Sequence, residues 1–292
     1  KMKIPFTKMQ ASGNDFIVID EFETLLIPDE KKPGAVRRMA DRHFSIGSDG
    51  VIFIQKSKIA DVKFAFYNPD GSIAEMCGNG IRCFARYMYE RGLVKKEKIM
   101  AETLAGLIAP EVIIENGAVT NVMVDMGAPR IKRKDIVVSG DPESVLIGET
   151  INVDGEEYEI TAAGMGNPHA IIFSDNLDSM DVKGIGSKIR NARDIFPPGT
   201  NVHFVEKVGR NEFKIRSYER GVEDETLACG TGICASAAAA FLNDLVDDKK
   251  ILFHSKGGDL RVELETDDKE ITRVYLTGPA EEVFNGEIKA EL

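Results

Sequence analysis

The chain has 292 residues, of which 43% are hydrophobic and 29% charged, and its formal net charge is −11. This length is about twice that of a typical domain and therefore allows two domains. The acidic balance argues against nucleic acid or an anionic membrane as the main partner. No apolar run approaches the roughly 20 residues of a membrane-spanning helix.

The cysteines indicate a reducing compartment. Residues 1–6 show no apolar signal-peptide core, and Cys77, Cys83, Cys229 and Cys234 are too few for a disulfide scaffold of this length. We therefore expect a cytoplasmic protein with reduced thiols. The pairs are spaced C-x5-C and C-x4-C, mostly wider than in structural zinc sites, so we expect no metal.

The first half of the chain alternates strand-like runs with one strong helix pattern. Strands are predicted at residues 16–20, 51–55 and 62–67, and a hairpin is predicted over 108–126 around Asn116-Gly117. A helix is predicted from Gly78 to Glu90. Its core-facing stripe consists of Ile81, Phe84, Ala85 and Met88, and Arg91-Gly92 ends it.

The second half follows a connection over residues 127–150, whose basic run 130–134 is predicted to be solvated. Strands are predicted at residues 170–174, 201–205, 213–217, 251–254, 260–265 and 271–276. A second helix is predicted over 230–245. Because residues 233–242 carry no charge, this helix should be buried on all faces.

Three segments occur twice, in the same order. Residues 12–19 match 165–172, residues 47–53 match 199–204, and residues 64–67 with 76–81 match 215–218 with 228–233. Asn14 precedes Cys77 by 63 positions, and Asn167 precedes Cys229 by 62. The chain is therefore interpreted as two copies of one fold unit, related by approximate twofold symmetry, with the two cysteines facing one cleft.

The predicted fold class is α+β. It has two pseudo-symmetric domains, each a mixed, mostly antiparallel sheet wrapped around a central helix.

Each repeat places a cysteine immediately before a Gly-x-Gly turn that opens a helix, at Cys77 and at Cys229. A helix N-terminus favours a thiolate, and its free N–H groups bind a carboxylate. Two such ends could hold one carboxylate and place a sulfur on each face of the adjacent carbon. This arrangement predicts two-base inversion of an amino acid. Cys83 and Cys234, inside the helices, are predicted to be buried packing residues.

At these residues the sequence resembles the diaminopimelate epimerase family over nearly its whole length. The motifs are Gly-Asn-Asp-Phe at 13–16, Asn-Pro-Asp-Gly-Ser at 68–72, Met-Cys-Gly-Asn-Gly at 76–80, Arg-Cys-Phe-Ala-Arg at 82–86, Met-Gly-Asn-Pro-His at 165–169, Tyr-Glu-Arg-Gly at 218–221 and Ala-Cys-Gly-Thr-Gly at 228–232. The resemblance implies a homodimer that interconverts LL- and meso-diaminopimelate without pyridoxal phosphate, other cofactor or metal, for lysine and peptidoglycan precursors.

The resemblance also implies domain limits and residue roles. The N-terminal domain would comprise residues 1–127 plus 279–292, and the C-terminal domain 128–278, with the active site in the cleft between them. Cys77 and Cys229 would be the base and acid, and Gly78, Asn79, Gly230 and Thr231 the backbone donors to the reacting carboxylate. His169 and Glu219 would lie near the reacting amino group, and Asn14, Asn68, Asn167, Asn201 and Arg220 would hold the distal end. Gly50 stands where some family members have glutamine.

Other functions are compatible with parts of this pattern. The chain could be a racemase of the same superfold acting on proline or histidine, although the distal-end residues favour diaminopimelate. A phenazine-pathway type of isomerase shares the fold but lacks the cysteine pair. From other classes, a zinc-binding protein, a dithiol redox protein and a pyridoxal-dependent racemase are alternatives. His43 is predicted to be structural, and no role is assigned to His203 or His254.

Overall fold

The computed structural model describes residues 2–290. The chain divides into two compact units. Unit 1 comprises the chain up to Val124 and from Gly278 onward, and unit 2 comprises Asp125–Thr277. Each unit combines β-sheet with a few helices, and none of the helices in residues 2–290 is both long and apolar enough to cross a membrane.

The strands, in chain order, are β1 (Met2–Ala11), β2 (Asn14–Asp20), β3 (Gly50–Gln55), β4 (Val62–Tyr67), β5 (Ile73–Ala74), β6 (Ala101–Thr103), β7 (Gly106–Ile108), β8 (Glu111–Glu115), β9 (Ala118–Asp125), β10 (Glu149–Val153), β11 (Glu156–Gly164), β12 (Pro168–Phe173), β13 (Asn201–Gly209), β14 (Glu212–Glu219), β15 (Asp224–Thr226), β16 (Lys250–Ser255), β17 (Gly258–Asp267), β18 (Glu270–Gly278) and β19 (Glu281–Ala290). The helices are α1 (Lys32–Ala40), α2 (Gly78–Glu90), α3 (Arg133–Ile136), α4 (Val182–Arg190) and α5 (Gly230–Leu242), and short 3-10 turns occupy Asp29–Lys31 and Leu177–Ser179.

Unit 1 contains a sheet of strand order β19-β1-β2-β3-β4-β6-β7. The pairs β2–β3 and β4–β6 are parallel, and the other neighbours along this order are antiparallel. Helix α2 packs against β1 to β4, and the Phe84 ring lies edge-on to Phe64 with centroids 5.2 Å apart. A separate core around Ile17, Val51 and Phe53 packs under α1. Strands β8 and β9 form the predicted hairpin.

Unit 2 contains a sheet of strand order β10-β11-β12-β13-β14-β16-β17-β18. Its parallel pairs are β12–β13 and β14–β16. One core surrounds α5, where residues 232–240 are buried, as the uncharged sequence predicts. A second core under α4 contains Ile189, Phe196 and Phe204. The sheet therefore has an apolar core on each face, as a strand buried on both sides requires.

The two units repeat one topology. The path β1-β2-β3-β4-β6-β7 corresponds to β11-β12-β13-β14-β16-β17, with the same sequence of antiparallel and parallel pairs. Helices α2 and α5 occupy the same place in this order, after β5 and β15. The predicted fold class, two pseudo-symmetric α+β domains with mixed sheets, is confirmed.

The connection between the repeats differs from its prediction. It contains α3 and an early strand, β10, and one residue of the basic run is buried: Arg133 donates from Nη1 to the Ser139 carbonyl at 2.6 Å and from Nη2 to Glu149 at 2.6 Å. This guanidinium satisfies a loop carbonyl, which explains why it leaves solvent. The sequence motifs also missed β1, β19, α1 and α4.

Candidate active site

In unit 1, Cys77 is the residue that precedes α2. Its backbone is extended, and its sulfur accepts a hydrogen bond from the Gly80 N–H at 3.4 Å, so the thiol caps the helix. The side chain is half-buried. At Gly80 a Cβ would lie 3.4 Å from Cys77 Cβ, which is ordinary van der Waals contact, so the turn packs against the Cys77 side chain. The thiol is thus held at the N-terminal end of α2, as the sequence predicts.

Asn14 faces Cys77 with its oxygen. Its Nδ2 donates to Asp49 Oδ2 at 2.6 Å, and this bond orients the amide. Asn14 Oδ1 then lies 3.9 Å from Cys77 Sγ and accepts from Asn79 Nδ2 at 3.3 Å. An oxygen acceptor beside the sulfur interacts better with the thiol S–H than with a thiolate.

The ionisation of Cys77 depends on opposing influences. Burial raises the pKa of the Cys77 thiol, whereas the N–H groups of Gly80 and Asn79 and the positive charge of Arg82 lower it. Arg82 is fully buried in α2 and donates to Ser12 Oγ at 3.0 Å and to the Pro279 carbonyl at 3.2 Å. The helix-end effect predicted from the sequence is present, but desolvation is larger, and the pKa of the thiol rises.

Two further predicted residues of unit 1 differ in surroundings. Asn79 is buried, and its Oδ1 has no hydrogen-bond partner among the described residues. A buried amide oxygen without a donor is costly, so this atom is available to a ligand. Asn68 lies in a turn, where its Nδ2 donates to Ser72 Oγ at 3.0 Å.

Gly50, the departure from the family pattern, opens β3 opposite Phe16. A Cβ at this position would lie 2.3 Å from Phe66 Cε2. The Phe66 ring therefore occupies the space that a side chain at position 50 would need.

In unit 2, Cys229 precedes α5 with the same extended backbone but makes no side-chain capping hydrogen bond, and it is buried. Its Sγ lies 3.6 Å from Thr231 Oγ1. Burial raises the pKa of the Cys229 thiol, the carboxylate of Glu219 raises it further, and the Thr231 hydroxyl lowers it. Glu219 accepts from Thr226 Oγ1 at 2.5 Å, and burial raises the pKa of its carboxyl group. A negative charge beside a buried thiol stabilises the protonated form.

His169 is part of a buried hydrogen-bonded chain. Its Nε2 lies 2.7 Å from Asn167 Oδ1, and its Nδ1 lies 2.8 Å from His203 Nε2. His203 Nδ1 lies in turn 2.8 Å from Ser217 Oγ. Burial holds the pKa of His169 well below its usual range and lowers that of His203 to about 3, so both rings are neutral.

Two further predicted residues of unit 2 lie at the start of β13 and directly after β14. Asn201 is buried, donates to the Pro168 carbonyl at 3.2 Å and accepts from the Arg220 N–H at 2.8 Å. The Arg220 guanidinium donates to the Pro198 carbonyl at 3.1 Å. These bonds fix the strand ends next to His169, whose register partner is Asn201.

His203 is the residue that the motif analysis missed. One nitrogen from each of His169 and His203 and the sulfur of Cys229 lie within 4.8 Å of one another, and all three residues are buried. These are the residues in unit 2 that could hold a metal. The repeat contained a signal: the position of His203 in β13 corresponds to Ile52 in β3, so an ionisable residue replaces an apolar one.

Comparison with known proteins assigns the family. The family described as diaminopimelate epimerase matches residues 6–132 and 161–283. A diaminopimelate epimerase from Pelotomaculum thermopropionicum is 47% identical over 282 residues, covering 97% of this chain and 98% of that protein. A second, from Archaeoglobus fulgidus, is 46% identical over 285 residues, covering 98% and 96%.

The chain belongs to the diaminopimelate epimerase family. The family and the enzyme class predicted from the sequence, an isomerase of the pyridoxal-independent epimerase type, are thereby confirmed.

Solved structures share the fold of this diaminopimelate epimerase family member at low identity. A phenazine biosynthesis protein of the PhzF family from Bacillus anthracis superposes with a TM-score of 0.73 at 18% identity, covering 99% of this chain and all of that one. A probable proline racemase from Agrobacterium radiobacter gives 0.69 at 14% identity, covering 99% and 93%. These similarities concern the fold alone.

Proposed function

We propose that this chain interconverts LL- and meso-2,6-diaminopimelate by proton transfer at one alpha carbon, with Cys77 and Cys229 as the base and acid. Family membership supports the substrate. The observation that carries the mechanism is that each topologically equivalent unit places a cysteine directly before its helix, α2 or α5. Neither pyridoxal phosphate nor metal takes part in the proposed reaction.

In the proposed reaction one thiolate removes the alpha proton and the other thiol donates its proton to the opposite face. The first sulfur ends protonated and the second ionised, so charge balances and the reverse reaction uses the same groups. The alpha C–H is far less acidic than a thiol, and each unit of that difference costs about 1.4 kcal/mol. Hydrogen bonds to the carboxylate must supply much of the free energy needed to remove the alpha proton, since one such donor contributes about 2.7–4 kcal/mol.

The helix ends support this stabilisation. The first N–H groups of a helix have no partner within it, and Gly78, Asn79, Gly230 and Thr231 occupy those positions. We propose that they bind the reacting carboxylate. Glu219, next to Cys229, favours the protonated thiol there, which supports Cys229 as the acid and Cys77 as the base when the cycle starts from that state.

The remaining residues are proposed to select the substrate. His169 and Glu219 would lie near the reacting amino group, and the free Oδ1 of Asn79 suits an ammonium donor. Diaminopimelate has a second amino-acid end, which needs a cation and amide groups. Arg220 and the asparagines would supply them; the asparagines are Asn14, Asn68, Asn167 and Asn201.

The mechanism requires both thiols at one carbon. We therefore propose that residues 1–127 with 279–292 and residues 128–278 form two domains with the active site in the cleft between them. We also propose a cytoplasmic location, where the thiols stay reduced. The product would enter lysine and peptidoglycan precursor synthesis.

We propose that the enzyme is a homodimer. Strand β19 lies at the edge of its sheet, and Val283 and Phe284 on it are exposed. Such an edge is a surface for pairing with a second chain. Light scattering should give twice the chain mass, and Phe284→Glu should shift it toward the monomer.

A chirally resolved substrate panel tests the proposed activity. Purified enzyme should convert LL-diaminopimelate to the meso form and leave proline and histidine unchanged. Cys77→Ala and Cys229→Ala should each abolish conversion, whereas Cys83→Ala, in the interior of α2, should retain it if the protein stays folded. Racemisation of a monoamino acid without activity on diaminopimelate would overturn the substrate assignment.

A further inference from the structure

We propose that His169, His203 and Cys229 form a binding site for a Zn²⁺ ion that inhibits the enzyme. One nitrogen of each ring and the cysteine sulfur lie within 4.8 Å of one another. All three side chains are buried, with exposures of 1% for His169, 0% for His203 and 5% for Cys229. Two imidazoles and a thiol are ligands that zinc prefers.

Both rings already have the outer hydrogen bonds of metal-bound histidines. His169 Nε2 lies 2.7 Å from Asn167 Oδ1, and His203 Nδ1 lies 2.8 Å from Ser217 Oγ. These bonds leave His169 Nδ1 and His203 Nε2 facing each other at 2.8 Å. Histidine ligands in proteins commonly donate their second N–H to an oxygen in this way, which fixes the ring for the metal.

The fold itself does not require this polar cluster. In unit 1 the corresponding positions are Phe16, Ile52 and Phe66, by the registers Phe16↔Gly50 and Ile52↔Phe66. In unit 2 the equivalent registers are His169↔Asn201 and His203↔Ser217. Apolar side chains fill the site beside α2, whereas beside α5 the same three places hold two histidines and a serine.

The cluster needs only small movements to bind zinc. Bond lengths of about 2.0–2.1 Å to nitrogen and 2.3 Å to sulfur imply tetrahedral ligand separations of roughly 3.3–3.6 Å. The two ring nitrogens would separate by about half an ångström. The sulfur, which lies within 4.8 Å of them, would approach by up to about 1.2 Å. His203 would shift its proton to Nδ1, where Ser217 accepts it, and the thiol proton would leave to solvent. The fourth coordination position would take water.

Zinc bound here would use the sulfur that the proposed reaction needs as its acid. The inhibition therefore rests on the proposed function, but the binding does not. Zinc would act as a reversible inhibitor that competes with substrate, and chelation would restore activity.

Cobalt absorption tests the site without reference to catalysis, because Co²⁺ replaces zinc and its spectrum reports thiolate ligation. Reduced, metal-free protein should bind one Co²⁺ per chain and show a thiolate-to-cobalt charge-transfer band with intense tetrahedral d–d bands. Zinc should displace the cobalt. Cys229→Ser should remove the charge-transfer band, and Ser217→Ala should weaken binding about 10- to 100-fold. His203→Asn should weaken cobalt binding at least as much as Ser217→Ala does.

Cys77→Ser is the matched control, since Cys77 occupies the equivalent helix position in unit 1 and should leave the spectrum unchanged. Circular dichroism checks that each variant is folded. If His203→Asn does not fold, the two single variants Cys229→Ser and Ser217→Ala are enough to test the site. Absence of the band in the wild type, its persistence in Cys229→Ser, or its loss in Cys77→Ser would overturn the site. If the protein binds cobalt but does not turn over diaminopimelate, only the proposed function is refuted. If it turns over diaminopimelate but does not bind cobalt, only the zinc site is refuted.

Discussion

Asn14 holds its amide oxygen 3.9 Å from the sulfur of Cys77, because its Nδ2 is committed to Asp49 at 2.6 Å. The amide is therefore an acceptor toward the thiol and cannot present its N–H groups there without breaking the bond to Asp49. This contact suggests a role for Asn14 beyond the distal-end binding proposed from the family: it interacts with the protonated state of Cys77.

Asn14→Asp should slow the alkylation of Cys77. A carboxylate about 4 Å from the sulfur would oppose thiolate formation by up to about 4 kcal/mol. We expect at least a tenfold fall in the iodoacetamide rate of the Cys77 peptide, measured by mass spectrometry. Asn68→Asp, in a turn with Ser72, is the matched control and should react as the wild type. Equal rates in Asn14→Asp and the wild type would contradict the contact.

Arg82→Met should raise the pKa of Cys77. Burial raises this pKa and the Arg82 charge opposes it, so loss of the charge moves thiolate formation to higher pH. Ultraviolet titration of the thiolate should show the upward shift. The variant should also lose about 1–3 kcal/mol of unfolding free energy for each buried acceptor left unpaired.

Arg86→Met is the control for this substitution. Arg86 lies one turn further along α2 and forms an ion pair with Glu90 at 3.0 Å. It should leave the Cys77 titration unchanged. A shift of equal size in both variants would assign the effect to a general change in α2 rather than to the buried charge of Arg82.

His203→Ile, which restores the unit 1 residue, should lower kcat while the protein stays folded. His169 Nδ1 would lose the partner 2.8 Å away, and misplacement of a site residue by about 1 Å can cost up to about 100-fold in rate. His203→Gln, which can still donate, should recover part of the loss. If both variants lower activity and melting temperature in parallel, His203 has only a structural role.

Gly232→Ala and Gly80→Ala form a matched pair at the starts of α5 and α2. A Cβ at Gly232 would lie 2.1 Å from His203 Cε1, whereas a Cβ at Gly80 would lie 3.4 Å from its nearest neighbours. Overpacking should destabilise Gly232→Ala by about 1–3 kcal/mol, and Gly80→Ala should stay within about 1 kcal/mol of the wild type. Denaturant unfolding measures both. Equal unfolding free energies for the two variants would show that the His203 ring moves away from the added methyl group without loss of stability.

The sequence predicted the parts of the fold that repeat. The bounds of α2 are those predicted, Gly78–Glu90. The Gly-x-Gly turn marks its start, the periodic apolar stripe marks its body, and Arg91-Gly92 marks its end. The buried helix α5 was predicted from its uncharged run. Strand β19 was missed because its alternation of apolar and polar residues is weak. Its partner β1 lies at the other end of the chain, and local sequence patterns do not indicate such a distant pairing.

For the candidate site, spacing selected both cysteines as candidates but could not give their electrostatics. Burial of a thiol depends on distant strands, so the rise in the pKa of Cys77 and Cys229 could not be predicted from a helix-end argument. The His169–His203 contact likewise arises from the parallel pairing of β12 with β13. An alignment of the two repeats, in which His203 takes the position of Ile52, would have indicated a polar contact at this place.

The two-thiol mechanism is tested by the fate of the alpha hydrogen during inversion. LL-diaminopimelate is incubated in heavy water, and substrate and product are separated at low conversion for mass analysis. With Cys77 and Cys229 on opposite faces, the meso product should carry one deuterium while the remaining LL substrate stays undeuterated. A product that retains the original hydrogen would mean that one group serves both faces and would contradict the two-thiol mechanism.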